Sequence, residues 1–272
     1  MLWVWIISIA FSTGHASGLV PSFRILGGST VKIEDYPYMV SVQLVLRGQM
    51  KHVCGGTLIS PTSVLTAAHC FPVPGYYVVK AGAASLKSPE GCLVPITKVI
   101  MHPKYRPLSQ DYDIAVAKLR KPVKLSNKIN IAKLPPLSKD IPLVEGTVLG
   151  WGETRSGYDG NTDALRAVDI PIIDDKECVR SYPKGLVTDR MFCAKVDDGS
   201  KDSCKGDSGG PFIINGTIYG IVSWGFDCGS PENPGVYTRV PYFFDFVNNT
   251  LTEKISRFSW IDRWMRQFFR KY

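Results

Sequence analysis

From Tyr38 onward the apolar positions gather into short runs rich in Val, Ile, Leu and aromatic residues: Met39–Leu46, Thr57–Ser60, Ser63–Thr66, Tyr76–Lys80, Val94–Met101, Ile114–Leu119, Val148–Trp151, Arg166–Ile172, Pro211–Ile214, Thr217–Trp224 and Gly235–Val240. Clusters of Gly, Pro, Asn and Asp separate them. Many short strands punctuated in this way predict an all-β sandwich or barrel, and not a series of βαβ units. No internal repeat or low-complexity linker divides the chain, and Pro135-Pro136, between two strand-rich halves, is the best candidate for a connection between barrels. The ends depart from this pattern. Met1–Phe11 is uncharged and apolar apart from Ser8, and small residues follow at Ser12, Gly14, Ala16, Ser17 and Gly18. The run is too short to span a bilayer; although it lacks Lys or Arg at its start, it reads as a secretory signal cut near Ala16 to Gly18. At the other end Ile261, Trp264, Met265 and Phe268 fall at i, i+3, i+4 and i+7, with Arg263, Arg266, Gln267 and Arg270 on other faces, which predicts a basic amphipathic helix.

The 272 residues suffice for one large all-β domain or two small ones with a substantial core. The formal charge of +8 is concentrated at the ends: residues 254–272 carry +5, Arg24 is the sole charge before residue 25, and the 25–253 body keeps only +2. Outside the tail no basic run is interleaved with aromatics, so nucleic acid is not an expected partner. Export makes disulfides plausible, and seven cysteines (54, 70, 92, 178, 193, 204, 228) allow three bridges with one thiol left over. Metal ligation is the rival reading, and neither Cys-x-x-Cys nor His-x-x-x-His spacing supports it.

Candidate chemistry centres on Lys201-Asp202-Ser203-Cys204-Lys205-Gly206-Asp207-Ser208-Gly209-Gly210-Pro211. A serine hydroxyl needs a base, a group that orients the base, and donors for an oxyanion before it becomes a useful nucleophile. Gly206, Gly209 and Gly210 clear side chains from around Ser208 and permit a tight turn whose amides converge on one spot. A bare Asp-Ser-Gly would read as a surface turn; the eleven-residue run is far more specific. Of four histidines, His15 leaves with the signal. His69 ends the apolar strand Val64-Leu65-Thr66-Ala67-Ala68-His69-Cys70 and is fixed by the adjacent cysteine, a setting that His52 and His102 lack. For the orienting carboxylate, Asp113 immediately precedes the apolar Ile114-Ala115-Val116, which would draw it inward; Asp111 competes with it.

Taken together, Thr-Ala-Ala-His-Cys, Asp-Ile-Ala-Val and Gly-Asp-Ser-Gly-Gly-Pro in this order resemble the chymotrypsin-like serine proteases, specifically the trypsins. Cys54-Gly55-Gly56, Gly150-Trp151-Gly152, Ser223-Trp224-Gly225 and Pro234-Gly235-Val236-Tyr237 extend the resemblance over Ile25 to about Leu251. It implies two six-stranded antiparallel barrels with the active site in the cleft between them, and a C-terminal helix from Tyr242 to about Glu253. An alternative register places that helix at Phe258-Ser259-Trp260-Ile261. The resemblance further implies a triad of His69, Asp113 and Ser208, an oxyanion hole from the amides of Gly206 and Ser208, and a primary pocket with Asp202 at its floor. Ser203, Ser223, Trp224, Gly225 and Gly235 would line that pocket, which suits polypeptides with Arg or Lys before the scissile bond. Cleavage between Arg24 and Ile25, by an activating trypsin-like protease or by the enzyme itself, would release an amine that pairs with Asp207. The implied organisation is a signal peptide over 1–17, a propeptide over 18–24, a protease domain over 25–253 and a basic extension over 254–272. His52 matches a position that holds Asp207 in some zymogens of the family. Alignment implies disulfides Cys54–Cys70, Cys178–Cys193 and Cys204–Cys228, with Cys92 unpaired in a loop, a pattern similar to invertebrate trypsins.

Departures from the family narrow the picture. Gly146 and Ile214 stand where many relatives have another disulfide. The Gly82–His102 stretch has Ala83 and only Glu90 where calcium-binding relatives place several carboxylates, and Pro234 replaces the aromatic of sodium-binding relatives, so no metal or other cofactor is expected. Asp227 stands at a rim position usually held by glycine. Protein protease inhibitors are expected partners of such an enzyme. A digestive or venom-type role is the expected one, with a regulatory protease of one target and a non-catalytic homologue serving as a binding module as alternatives; the last usually loses the serine or histidine that this chain keeps. Asn215 and Asn248 head glycosylation sequons. The tail either packs on the second barrel or meets an anionic membrane.

Overall fold

The computed structural model describes residues 27–138, 140–153 and 162–252. The expected signal, the Arg24-Ile25 bond and the amphipathic tail lie outside them. Six strands, β2 (Met39–Leu46), β3 (Gln49–Ser60), β4 (Ser63–Thr66), β5 (Tyr77–Ala81), β6 (Cys92–Met101) and β7 (Ala115–Leu119), close an antiparallel barrel in the order β2-β3-β4-β7-β6-β5. Its tightest turn, Arg47-Gly48, has both residues at positive φ, the backbone twist that a two-residue hairpin favours. Val40, Val42, Leu58, Val64, Leu65, Val79 and Val116 are removed from water inside it.

The second half contains β8 (Glu145–Gly150), β9 (Arg166–Pro171), β10 (Met191–Ala194), β11 (Pro211–Ile214), β12 (Thr217–Trp224) and β13 (Gly235–Arg239). They form one sheet in the order β9-β8-β11-β12-β13-β10, with the two-residue β1 (Ser29–Thr30) added outside β9. A bridge between Ile172 and Ala194, flanked by Ile173 N–H to Cys193 O at 3.0 Å and Lys195 N–H to Pro171 O at 3.1 Å, brings β10 back onto the end of β9. This closes the second six-stranded barrel by a single bridge where the first is closed by a full ladder. Pro135-Pro136 lies in the segment between β7 and β8, tied to the first barrel by Ala132 N–H to Leu58 O at 2.8 Å and to the second by Ile218 N–H to Lys133 O at 3.0 Å.

Most strands match the apolar runs, with three differences. β3 begins at Gln49, because a polar, exposed arm continues the hairpin opposite β2. β10 is only four residues long and is buried because of the strands beside it, so no alternation marks it. A short helix, α1 (Asp175–Arg180), is capped by Asp174, whose side chain accepts from Lys176 N–H. The terminal helix α2 (Phe244–Thr252) follows a 3-10 turn over Val240–Phe243, close to the contiguous register.

Disulfides join Cys54–Cys70, Cys178–Cys193 and Cys204–Cys228. Cys92 is a free thiol, but it opens strand β6 and does not sit in a loop. Where relatives have a further bridge, the aromatic core takes over. Phe212 packs within 5.3 Å of Phe192 and 5.1 Å of Tyr237, ring centre to ring centre. Its edge lies over Gly146, where an added Cβ would stand 2.0 Å from the ring. Gly146→Ala is therefore expected to cost about 1–3 kcal/mol by overpacking, read as a lower denaturant midpoint at unchanged slope.

Candidate active site

His69 sits in a one-turn 3-10 helix over Ala68–Cys70 at the end of β4, held by the Cys54–Cys70 bridge. Asp113 lies just before β7, is 1% exposed, and takes hydrogen bonds on both oxygens. The His69 backbone N–H donates to Oδ1 at 2.9 Å, and His69 Nδ1 and Ser223 Oγ reach Oδ2 at 2.7 and 2.6 Å. The Asp113 carbonyl accepts from Thr238 Oγ1 at 2.8 Å. A buried carboxylate is tolerated when its lone pairs are filled in this way. Because a carboxylate accepts, Nδ1 carries the proton and Nε2 is left to take one. Thr238 gave no sign in the sequence, since a threonine near a strand end is unremarkable.

The competing residues have other employment. Asp111 is bound by Arg190 and Thr188. His102 stacks on Tyr112 at 4.7 Å. His52 is buried between Ser41 Oγ (2.8 Å) and the Gly206 carbonyl (3.0 Å), and burial depresses its pKa, so it is a neutral ring donating Nε2–H to that carbonyl. It contacts the peptide next to Asp207 and not the carboxylate itself.

The Ser208 turn is made possible by Gly206 and Gly209, both left-handed (φ 95° and 75°). At Gly209 a Cβ would also collide with Thr66 Oγ1 at 2.2 Å and Gly55 O at 2.7 Å. The amides of Asp207, Gly209 and Gly210 are spent on Cys204 O, Val222 O and Asp207 O; among the described residues those of Gly206 and Ser208 enter none of the turn's backbone bonds. Ser208 O accepts from Gly55 N–H at 2.8 Å, which ties the turn to the first barrel.

Ser208 and His69 line one cleft of about 390 Å³ together with Asp202, Ser203, Ser223, Trp224, Gly225, Gly235 and, at its rim, the exposed Asp227. Asp202, 5% exposed, accepts from Ser203 N–H at 2.7 Å and Gly229 N–H at 2.8 Å. Both donors are neutral, and burial pushes its pKa up to about 6 in spite of them. A cation entering the cleft would relieve that penalty. Asp207 is wholly buried, accepts from Gly152 N–H at 2.8 Å and Cys204 N–H at 2.9 Å, and is pushed up to about 7, again by burial. Gly150 and Gly152 make its hollow, since a Cβ on either would come within 1.9 Å and 2.6 Å of the carboxylate. The expected partner of Asp207, the Ile25 amine, lies outside the described residues.

Among the described residues the one cluster with metal-ligating atoms is Cys54, His69 and Cys70, and its two sulfurs are bonded to each other. In the stretch where calcium-binding relatives place carboxylates, the buried Lys80 ammonium donates to Leu86 O at 2.8 Å and Ser88 O at 2.5 Å.

Residues 25–247 match the family model described as Trypsin. The chain belongs to the trypsin family of serine proteases. It is 40% identical over 236 residues to a trypsin of Phaedon cochleariae, covering 84% of this chain and 88% of the relative. It is 39% identical over 251 residues to Trypsin 5G1 of Aedes aegypti, covering 88% and 92%. Serine protease 1 of Rattus norvegicus is 37% identical over 230 residues, covering 84% and 90%. The chain is thus a trypsin-like serine endopeptidase, a hydrolase acting on polypeptides, and its three disulfides fit an oxidising compartment.

The two cleft glycines differ in a measurable way. A Cβ at Gly225 meets nothing within 4 Å, whereas at Gly235 it lies 2.9 Å from Asp202 Oδ1. Gly225→Val is expected to fold with stability within about 0.5 kcal/mol of wild type yet lose binding of an aryl amidinium probe. Gly235→Val should lower both the melting temperature and that binding.

Proposed function

We propose that this chain is a secreted endopeptidase that cleaves after Arg and Lys, with Ser208 as nucleophile, His69 as base and acid, and Asp113 as the group that orients His69. The observation that carries this reading is one cleft shared by Ser208, His69 and a buried Asp202 to which no cationic side chain is bonded among the described residues. Ser208 Oγ attacks the scissile carbonyl carbon as its proton passes to His69 Nε2. The imidazolium so formed faces the Asp113 carboxylate, and the new oxyanion takes bonds from the Gly206 and Ser208 amides, each worth about 2.7–4 kcal/mol in the transition state. His69 then gives its proton to the leaving amine, and the acyl-enzyme is hydrolysed by water through the same steps. An Arg or Lys side chain compensates Asp202; an apolar one leaves the carboxylate buried without a counter-charge.

In this reading residues 1–17 are the signal, 18–24 the propeptide, 25–253 the protease domain and 254–272 a basic extension able to meet an anionic surface. The Ile25 amine, freed by a trypsin-like protease or by self-cleavage, pairs with Asp207 and orders the pocket and the Ser208 turn. Its partners are polypeptides and protein protease inhibitors. The short propeptide favours a broad digestive or venom-type role.

Fluorogenic amides differing only before the scissile bond test this directly. Activated protein should prefer Arg and Lys, and Ser208→Ala should lower kcat roughly 10⁶-fold while leaving the fold intact; preference for Phe or Leu would refute the pocket, and retained turnover would refute the nucleophile. Amidinium binding should weaken as pH falls below about 6, where Asp202 takes up a proton.

Arg24→Gln should remain silent on the same substrates after treatment with trypsin. Full activity of that uncut variant would contradict the activation scheme.

A further inference from the structure

Asp113 is not the sole carboxylate of its loop to cross between the barrels. Two residues earlier Asp111, 5% exposed, receives a fork from Arg190: Nε to Oδ1 at 2.7 Å and Nη2 to Oδ2 at 3.1 Å. Thr188 Oγ1 adds a bond to Oδ1 at 3.1 Å. Asp111 belongs to the first barrel, while Thr188 and Arg190 lead into β10 of the second. The guanidinium also lies 4.7 Å from the centre of the Tyr112 ring, which in turn stacks on His102. Exposed ion pairs contribute little, but this one is bidentate, with side chains only 17% and 8% exposed.

The backbone explains why the loop needs holding. Gln110 and Tyr112, on either side of Asp111, have φ of 50° and 58° although neither is glycine. Such conformations persist only where the surroundings over-determine them. The loop therefore makes two left-handed steps around one pinned carboxylate just before Asp113.

We infer that Arg190, acting through Asp111, is a positioning residue for the Asp113–His69 pair, fixing the first-barrel loop against the barrel that carries Ser208. This rests on the catalytic reading given above. Ser223 and Thr238 of the second barrel already grip Asp113 itself, and Arg190 extends that grip two residues upstream. The pocket residues Asp202, Ser203, Gly225 and Gly235 come from the second barrel and make no hydrogen bond to Asp113, so loosening the first-barrel loop moves the base relative to Ser208 and leaves the pocket floor in place. Its cost falls on kcat and not on KM.

The test uses the full-length chain, activated and titrated for active sites, with an amide substrate bearing a single Arg. Arg190→Gln is expected to lower kcat about ten- to a hundredfold with KM within about twofold, and Arg190→Lys to recover part of the loss. Asp111→Asn should reproduce it, and the double variant Asp111→Asn/Arg190→Gln should be no worse than either single. Unchanged kcat, a loss confined to KM, or additive losses in the double variant would overturn the inference. If Arg190→Gln fails to accumulate, the near-isosteric Asp111→Asn decides by the same criteria. An active Ser208→Ala would sink the catalytic reading itself; an inactive Ser208→Ala beside a normal Arg190→Gln sinks this inference alone.

Discussion

The arrangement of the molecule depends on burying the Asp113 carboxylate where two barrels meet. A lone ionised carboxylate out of water is prohibitively costly, so closing the barrels over it requires both of them to bring it partners. The first barrel supplies the His69 amide and ring, and the second supplies Ser223 on the carboxylate and Thr238 on the carbonyl. The relative position of the barrels and the orientation of the imidazole are thus set by the same group of hydrogen bonds. The Gly55–Ser208 backbone bond fixes the other side of the cleft to the same frame.

Two further carboxylates are buried nearby. Among the described residues the backbone donors to Asp202 and Asp207 are neutral amides, and burial raises the pKa of both. A raised carboxylate costs nothing at low pH, where both folded and unfolded forms are protonated. Its cost grows as pH rises from the unfolded value toward the folded one and persists above it. A positive charge arriving at either site would relieve that cost and so stabilise the same Ser208 segment.

Close approach also accounts for the glycines that look like ornament in the motifs. Gly150 and Gly152 hollow out space for the Asp207 carboxylate, Gly209 lets the Ser208 turn touch Thr66 and Gly55, and Gly146 yields its volume to Phe212. At Gly225 nothing is touched; the space there belongs to the cleft.

Much of this was legible in the chain. Short apolar runs separated by turn clusters indicate an all-β fold because segments of about four to eight residues between such turns suit strands and are too short for most helices. The runs at Met39–Leu46, Ser63–Thr66, Pro211–Ile214 and Thr217–Trp224 are strands with those bounds. Ser208, His69 and Asp113 stood out because they sit in glycine-rich or apolar settings that local sequence reports. The family resemblance favoured Asp113 over Asp111, two residues earlier, and tertiary structure alone shows what the other barrel brings to each: Ser223 and Thr238 to one, Arg190 and Thr188 to the other. It also decided that Met191–Ala194 is a strand and that His52 is a neutral support for the Gly206 carbonyl. Hydrophobic pattern is a property of neighbours in the chain, whereas the burial of a polar group depends on partners dozens of residues away, and no local pattern records them.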